Sequence, residues 1–182
     1  DLGNNIKCGN SLIGPDFYQQ SELPLLTDAE KYRINIFDWN TGFPEIVKAG
    51  GFDAVIGNPP YIRIQTMQET QPQEVEFFNR AYQAACQGNY DIYIVFVERG
   101  LSLLNKGGRL AFILPHKFFN AEYGQPLRSL LSNGKHLEHI VHFGHSQVFA
   151  SATTYTCLLF LSKSPIHKCR FVQVEDILAW IK

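Results

Sequence analysis

Net charge is nearly absent from this chain. Sixteen basic residues stand against seventeen acidic ones, a formal charge of −1 over 182 residues. The balance gives no electrostatic pull toward nucleic acid, so any such affinity must come from a local patch or from parts outside this chain. Cysteine is sparse and scattered: Cys8, Cys86, Cys157 and Cys169 form no C-x-x-C. That spacing fits a reduced, cytoplasmic protein rather than a zinc module or a disulfide scaffold. No apolar run is long enough to span a membrane, and no secretory leader opens the chain. A glycine-rich cofactor loop after a strand is also missing, because Gly107-Gly108 stands before a strand, the wrong order. Hydrophobic residues make up 45% of the chain, enough for one globular domain with a substantial core. The chain begins with Asp1, not Met, and reads as a fragment of something longer.

One stretch organises the rest. Phe52, Ala54, Val55 and Ile56 form a short apolar run between Gly50-Gly51 and Gly57, the pattern of a strand buried in a parallel sheet. Asn58-Pro59-Pro60-Tyr61 follows. Two prolines fix two φ angles and remove two N–H donors, so the turn presents acceptors of fixed direction beside one aromatic ring. An amino group on an aromatic base is a poor nucleophile because its lone pair is delocalised. The Asn58 side-chain carbonyl and the Pro59 backbone carbonyl can each accept one amino hydrogen, freeing the lone pair and stabilising the charge that builds on attack. Tyr61 can stack on the base, a contact worth roughly 1–3 kcal/mol. The same residues also serve as an ordinary surface turn.

From Asp53 to Tyr61 the chain resembles motif IV of S-adenosylmethionine-dependent amino-methyltransferases. It resembles in particular the gamma-class adenine-N6 DNA methyltransferases and the Type IIG restriction-modification enzymes built on them. The resemblance runs over residues 5–163, motifs III to VIII, and its most specific parts are the turn and the string from Tyr90 to Pro115. It implies an α/β fold: the catalytic half of a Rossmann-like methyltransferase sheet with helices on both faces. It implies methyl transfer to the N6 amino group of an adenine flipped out of double-stranded DNA, in a restriction-modification system. Asn58, Pro59, Pro60 and Tyr61 become the catalytic residues. Asn10 and Ser11, in Gly9-Asn10-Ser11-Leu12, stand where the family has its third cofactor motif; a plain turn is the alternative. Tyr93 and Phe96 open a helix that in the family lies against the cofactor, although aromatics on a buried helix are more often core. Val148-Phe149 matches motif VIII, which makes Phe149 the ring opposing Tyr61 on the base; packing near a turn is the alternative.

The remaining chain is read from its periodicity. Asn5 to Cys8 reads as a short strand, and Asp28 to Phe37 has weak helical spacing. Phe37-Asp38-Trp39 is expected to pack, with no chemistry assigned. Pro44 opens a helix through Lys48. Tyr61 to Gln73, with four glutamines, reads as a polar loop over the site, in which Arg63 meets a phosphate or is simply solvated. Helices are expected over Glu74–Ala85 and, with Asp91 as N-cap, through Leu104, followed by a strand over Arg109–Leu114. Further expectations are a helix over Tyr123–Leu131 and strands over Leu137–Phe143 and Tyr155–Leu161. Residues 164–182 are expected to be a linker and the start of a following domain. His136, His139, His142 and His145 recur every third residue, but in a strand that spacing alternates faces, so no metal site is expected.

The family's Phe-x-Gly-x-Gly loop and its ribose-binding acid have no counterpart, so this chain by itself is expected to be inactive and to bind S-adenosylmethionine weakly. Two other functions share the amino-group chemistry or the fold: a protein-glutamine or RNA amino-methyltransferase, and a catalytically inert DNA-binding module.

Overall fold

The computed structural model describes residues 2–19, 26–149 and 154–180. Among the described residues, three short α-helices precede the first strand: α1 (Asp28–Ile34), α2 (Trp39–Gly42) and α3 (Pro44–Lys48). Each begins as its residues dictate. Thr27 and Glu30 form a reciprocal capping box on α1, Asp38 accepts the Asn40 N–H at the start of α2, and Pro44 takes the first turn of α3. β1 (Phe52–Gly57) is followed by α4 (Ile64–Thr70), α5 (Pro72–Ala81) and α6 (Tyr93–Ser102) before β2 (Leu104–Pro115). Then come α7 (Gln125–Asn133), β3 (Leu137–His142), β4 (Thr156–Ser162), β5 (Arg170–Gln173) and α8 (Ile177–Trp180).

The strands form one sheet in the order β1-β2-β4-β3-β5. β1 runs parallel to β2, and β5 parallel to β3, while β4 lies antiparallel to both of its neighbours. β1, α6 and β2 make a βαβ unit with α6 on one face. Ile94, Val95, Val97 and Leu101 of α6 are buried with Leu110 and Leu114 of β2 and with Leu159 and Leu161 of β4. A Cβ at Gly100 would stand 2.6 Å from Leu110 Cδ1, so α6 approaches the sheet at the one residue without a side chain. β4 alternates faces: Cys157, Leu159 and Leu161 join the main core, while Leu158 and Phe160 join a smaller cluster with Val141, Phe143 and Val174 on the other face. Ile177 of α8 packs on that second cluster.

Several boundaries differ from those expected. Asn5–Cys8 forms no strand; Asn10 makes only an isolated parallel bridge to Ile36, and Ile6 is exposed. The glutamine-rich segment after Tyr61 is helical, not a loop, because Ile64 and Met67, three apart, turn inward beneath the polar residues. The helix expected over Glu74–Ala85 stops at Ala81 and continues as a single 3₁₀ turn over Gln83–Ala85. α6 ends at Ser102, and its N-cap is Ile92 rather than Asp91, whose carboxylate accepts a hydrogen bond from Tyr123. The strand begins already at Leu104, which pairs with Phe52, and Asn105 binds Asp53 and Gly107 to fold the Gly-Gly segment into it. β1 is not buried on both sides. It is the edge of the sheet among the described residues, with Ile56 82% exposed. β5 does not leave the sheet but extends it beside β3, and the residues after Trp180 lie outside the described ones.

Candidate active site

β1 ends at Gly57, paired with Phe112 of β2. The chain then enters the Asn58–Tyr61 turn at the carboxyl end of two parallel strands, where open α/β sheets place their ligands. Pro59 is buried, while Asn58 and Pro60 are exposed. The Tyr61 hydroxyl lies 2.7 Å from Asn58 Oδ1 and 3.3 Å from the Ile113 carbonyl of β2. Burial, with a smaller contribution from Cys157, pushes the Tyr61 phenol up to about 12, so it stays a neutral donor. Its O–H donates to Asn58 and orients the carboxamide, while the second lone pair of Asn58 Oδ1 remains to accept from a ligand. Among the described residues no hydrogen bond reaches the Pro59 carbonyl. Two acceptors are thus held in fixed directions next to one ring.

One open cavity borders this turn, and a second lies beside it along β1. The first, of about 230 Å³, is lined by Asn58, Pro59, Pro60, Phe96, Ser11 and Trp39. The other, of about 510 Å³ at the β1 edge, shares Ser11, Trp39 and Ile56 and adds Gly9, Phe37 and Phe43. Ser11 and Phe96 therefore stand near the turn. Asn10 is next to them, its Oδ1 spent on the Leu12 N–H at 3.1 Å. Tyr93 lines neither cavity: it is fully buried, with its ring edge-on to Tyr61 at 6.5 Å. Phe149 lies half-buried in the segment after β3, next to residues outside the described ones. Arg63 is exposed, on the segment that bridges to Asp91.

Trp39 is the residue the sequence left without a role. Its Nε1–H donates to the Ser11 carbonyl at 3.1 Å, its ring stacks on Phe43, and it lines both cavities. An aromatic next to Asp38, the N-cap of α2, was the only local signal.

The histidines take separate partners. His136 Nδ1 contacts the Ser162 carbonyl, His139 stacks on Phe160, and His145 packs edge-on to Tyr155. His142 meets His116 from the end of β2. The Gly144 N–H donates to His142 Nδ1, so neutral His142 carries its proton on Nε2 and donates it to His116 Nδ1. Burial lowers both imidazoles, with His142 and His145 adding to the effect on His116 and His145 to that on His142.

Fold and turn together define a class: a Rossmann-like, S-adenosylmethionine-dependent methyltransferase sheet with an Asn-Pro-Pro-Tyr turn after a parallel strand. The same fold is found in the Type IIL restriction-modification enzyme MmeI, solved in complex with DNA (17% identity, TM-score 0.57, 78% of this chain and 19% of that one). It is found also in a Listeria monocytogenes protein ascribed to the class I S-adenosylmethionine-dependent methyltransferases (18% identity, TM-score 0.52, 72% of this chain and 41% of that one). Residues 2–149 match the Eco57I restriction-modification methylase family, and the chain belongs to that family. It is 36% identical over 181 residues to the Type II restriction enzyme and methyltransferase RM.Eco57I of Escherichia coli, spanning 99% of this chain and 16% of that protein. It is 37% identical over 125 residues to the Type II methyltransferase M.XhoI of Xanthomonas vasicola, which is 68% of this chain and 22% of that protein.

The cofactor of this fold class, S-adenosylmethionine, fits the residues present in part. Trp39, Phe96 and Ser11 suit a flat heteroaromatic ring with polar edges. Among the described residues, no carboxylate of the kind that would pair with ribose hydroxyls lines the two cavities.

Proposed function

We propose that this chain is the catalytic part of a DNA methyltransferase acting on the N6 amino group of an adenine turned out of the duplex, in a cytoplasmic restriction-modification system. The observation that carries the reading is the Tyr61 hydroxyl locking the Asn58 carboxamide at 2.7 Å, at the mouth of a cavity lined by Phe96 and Trp39. Asn58 Oδ1 and the Pro59 carbonyl accept the two amino hydrogens and draw them out of the ring plane. Tyr61 stacks on one face of the base, and Phe149 closes the other. A paired adenine keeps this amino group inside the helix, so the base must leave the stack to be reached. When bound, the cofactor supplies an electrophilic methyl group. Asn10, Ser11 and Phe96 hold its adenine end, and Asn58 fixes the direction from which the nitrogen attacks. Asn58 is exposed, so water is within reach of the proton released after transfer.

A second reading, a methyltransferase-like module that binds DNA without catalysis, draws on the carboxylate missing from both cavities. Nucleoside mass spectrometry separates the two. Plasmid DNA is recovered from a host lacking its own adenine methylation and expressing the intact parent protein, wild type or Asn58→Ala. N6-methyladenine is expected with wild type. With Asn58→Ala it falls by about 10²–10³-fold, the cost of removing one donor or acceptor aimed at the transition state. Soluble wild-type protein without the modified base would overturn the proposal.

A further inference from the structure

Behind Tyr61 lies a polar chain assembled from two distant segments. The Tyr93 ring, fully buried on α6, meets the Tyr61 ring edge-on, with interplanar angle 82°. The Tyr93 hydroxyl is 3.0 Å from the Tyr123 hydroxyl, and Tyr123 reaches Asp91 Oδ2 at 3.3 Å. A carboxylate only accepts, so the direction is set: Tyr93 O–H donates to Tyr123, and Tyr123 O–H donates to Asp91. Burial raises both phenols, Tyr123 to about 12 and Tyr93 further, so neither loses the proton the chain requires.

The Asp91 end is anchored to the same turn. The Ile92 N–H donates to the Ile62 carbonyl at 2.9 Å, and the Ile64 N–H to the Tyr90 carbonyl at 2.9 Å. The residues directly after Tyr61 are thus stitched to the residues on either side of Asp91. Backbone bonds from Tyr90 and Ile92 hold the segment that leaves Tyr61, and between them the Asp91 carboxylate, through Tyr123, holds the ring that supports Tyr61. Lys117 Nζ stands 6.0 Å over the Tyr123 ring, and Phe118 packs against Tyr93 at 6.3 Å. A phenylalanine at 93 would fill the same space without a buried hydroxyl to satisfy, so the hydroxyl relay does more than fill the core.

We propose that Asp91 and Tyr123 are positioning residues that set the orientation of the Tyr61 ring through Tyr93, and with it the stacking of the target base. The inference rests on the reading of Tyr61 as a base-stacking residue. It is specific in its prediction: the linked pair acts on the chemical step and not on DNA binding.

The test uses the intact parent protein with Tyr123→Phe, Asp91→Ala, Asp91→Asn and the double variant Tyr123→Phe/Asp91→Ala. Tyr123→Phe, which removes the hydroxyl that joins Tyr93 to Asp91, is expected to lower kcat at least about fivefold, the rate equivalent of one hydrogen bond, with KM for DNA unchanged. Asp91→Ala should match it. Asp91→Asn, which keeps an acceptor oxygen, should restore most of the rate, and the double variant should be no worse than either single one. A second readout needs no turnover: 3-fluorotyrosine at position 61 is expected to give one sharp ¹⁹F resonance in wild type and a shifted or doubled one in Tyr123→Phe. Unchanged kcat together with an unchanged ¹⁹F signal would overturn the inference, even if the melting temperature fell. Wild type that leaves adenine unmethylated would overturn the proposed function instead, and the ¹⁹F comparison would still decide the role of Tyr123.

Discussion

Tyr61 carries two loads that substitution can separate. Its hydroxyl orients Asn58, and its ring, the proposed stacking surface for the base, meets Tyr93 edge-on. Tyr61→Phe keeps the ring and loses one hydrogen bond, about 1 kcal/mol, so kcat is expected to fall about fivefold. Tyr61→Ala loses the stack as well, a further 1–3 kcal/mol or so, and base flipping should weaken. Single-turnover methylation, with 2-aminopurine fluorescence at the target position, measures both; equal effects of the two variants would contradict the division of roles. Asn58, Pro59, Pro60 and Tyr61 were all legible in the sequence because two prolines dictate the turn locally. Trp39 was not, because its position beside Asn58 depends on how the segment before β1 folds back.

At the scale of elements, two junctions are exposed to test. Gly51 joins α3 to β1 with φ +121°, and a Cβ there would stand 2.5 Å from the Leu103 carbonyl that accepts the Phe52 N–H. Gly51→Ala is expected to destabilise the protein by roughly 1–3 kcal/mol, read as a lowered melting temperature. The second junction is the His142–His116 contact between the ends of β3 and β2. Both imidazoles are lowered, so the unfolded chain takes up protons first and stability is lost as pH falls. The melting temperature is expected to hold from pH 8 to 7 and to drop once the pH passes below the ordinary histidine value of about 6.5. His142→Gln, neutral at every pH, should flatten that slope. The periodicity announced α3, β3, β4 and α7 nearly to the residue. It missed α4, where glutamines hid the Ile64–Met67 spacing, and it missed the start of β2, which is set by pairing with Phe52.

For the molecule as a whole, the sheet edge at β1 and the lining of the two cavities matter most. Ile56 is 82% exposed on that edge, and the cavities beside it hold aromatic rings but no carboxylate. The 182-residue chain by itself is therefore expected to bind S-adenosylmethionine weakly or not at all. Calorimetry showing tight stoichiometric binding would refute this. With a formal charge of −1 the chain has no general attraction for DNA, so duplex affinity must arise from the site itself or from further parts of the parent protein.

The sequence by itself determined the Asn-Pro-Pro-Tyr turn, the strand leading into it and the buried character of α6, because φ restriction, missing donors and apolar spacing act between neighbouring residues. Only the tertiary structure decided that β4 enters antiparallel between β2 and β3, that β5 joins the same sheet, that His116 meets His142, and that Tyr123 links Tyr93 to Asp91. Those contacts join residues 15 or more positions apart, and nothing in the local spacing of either partner specifies the other; the packing of the whole sheet and its helices does.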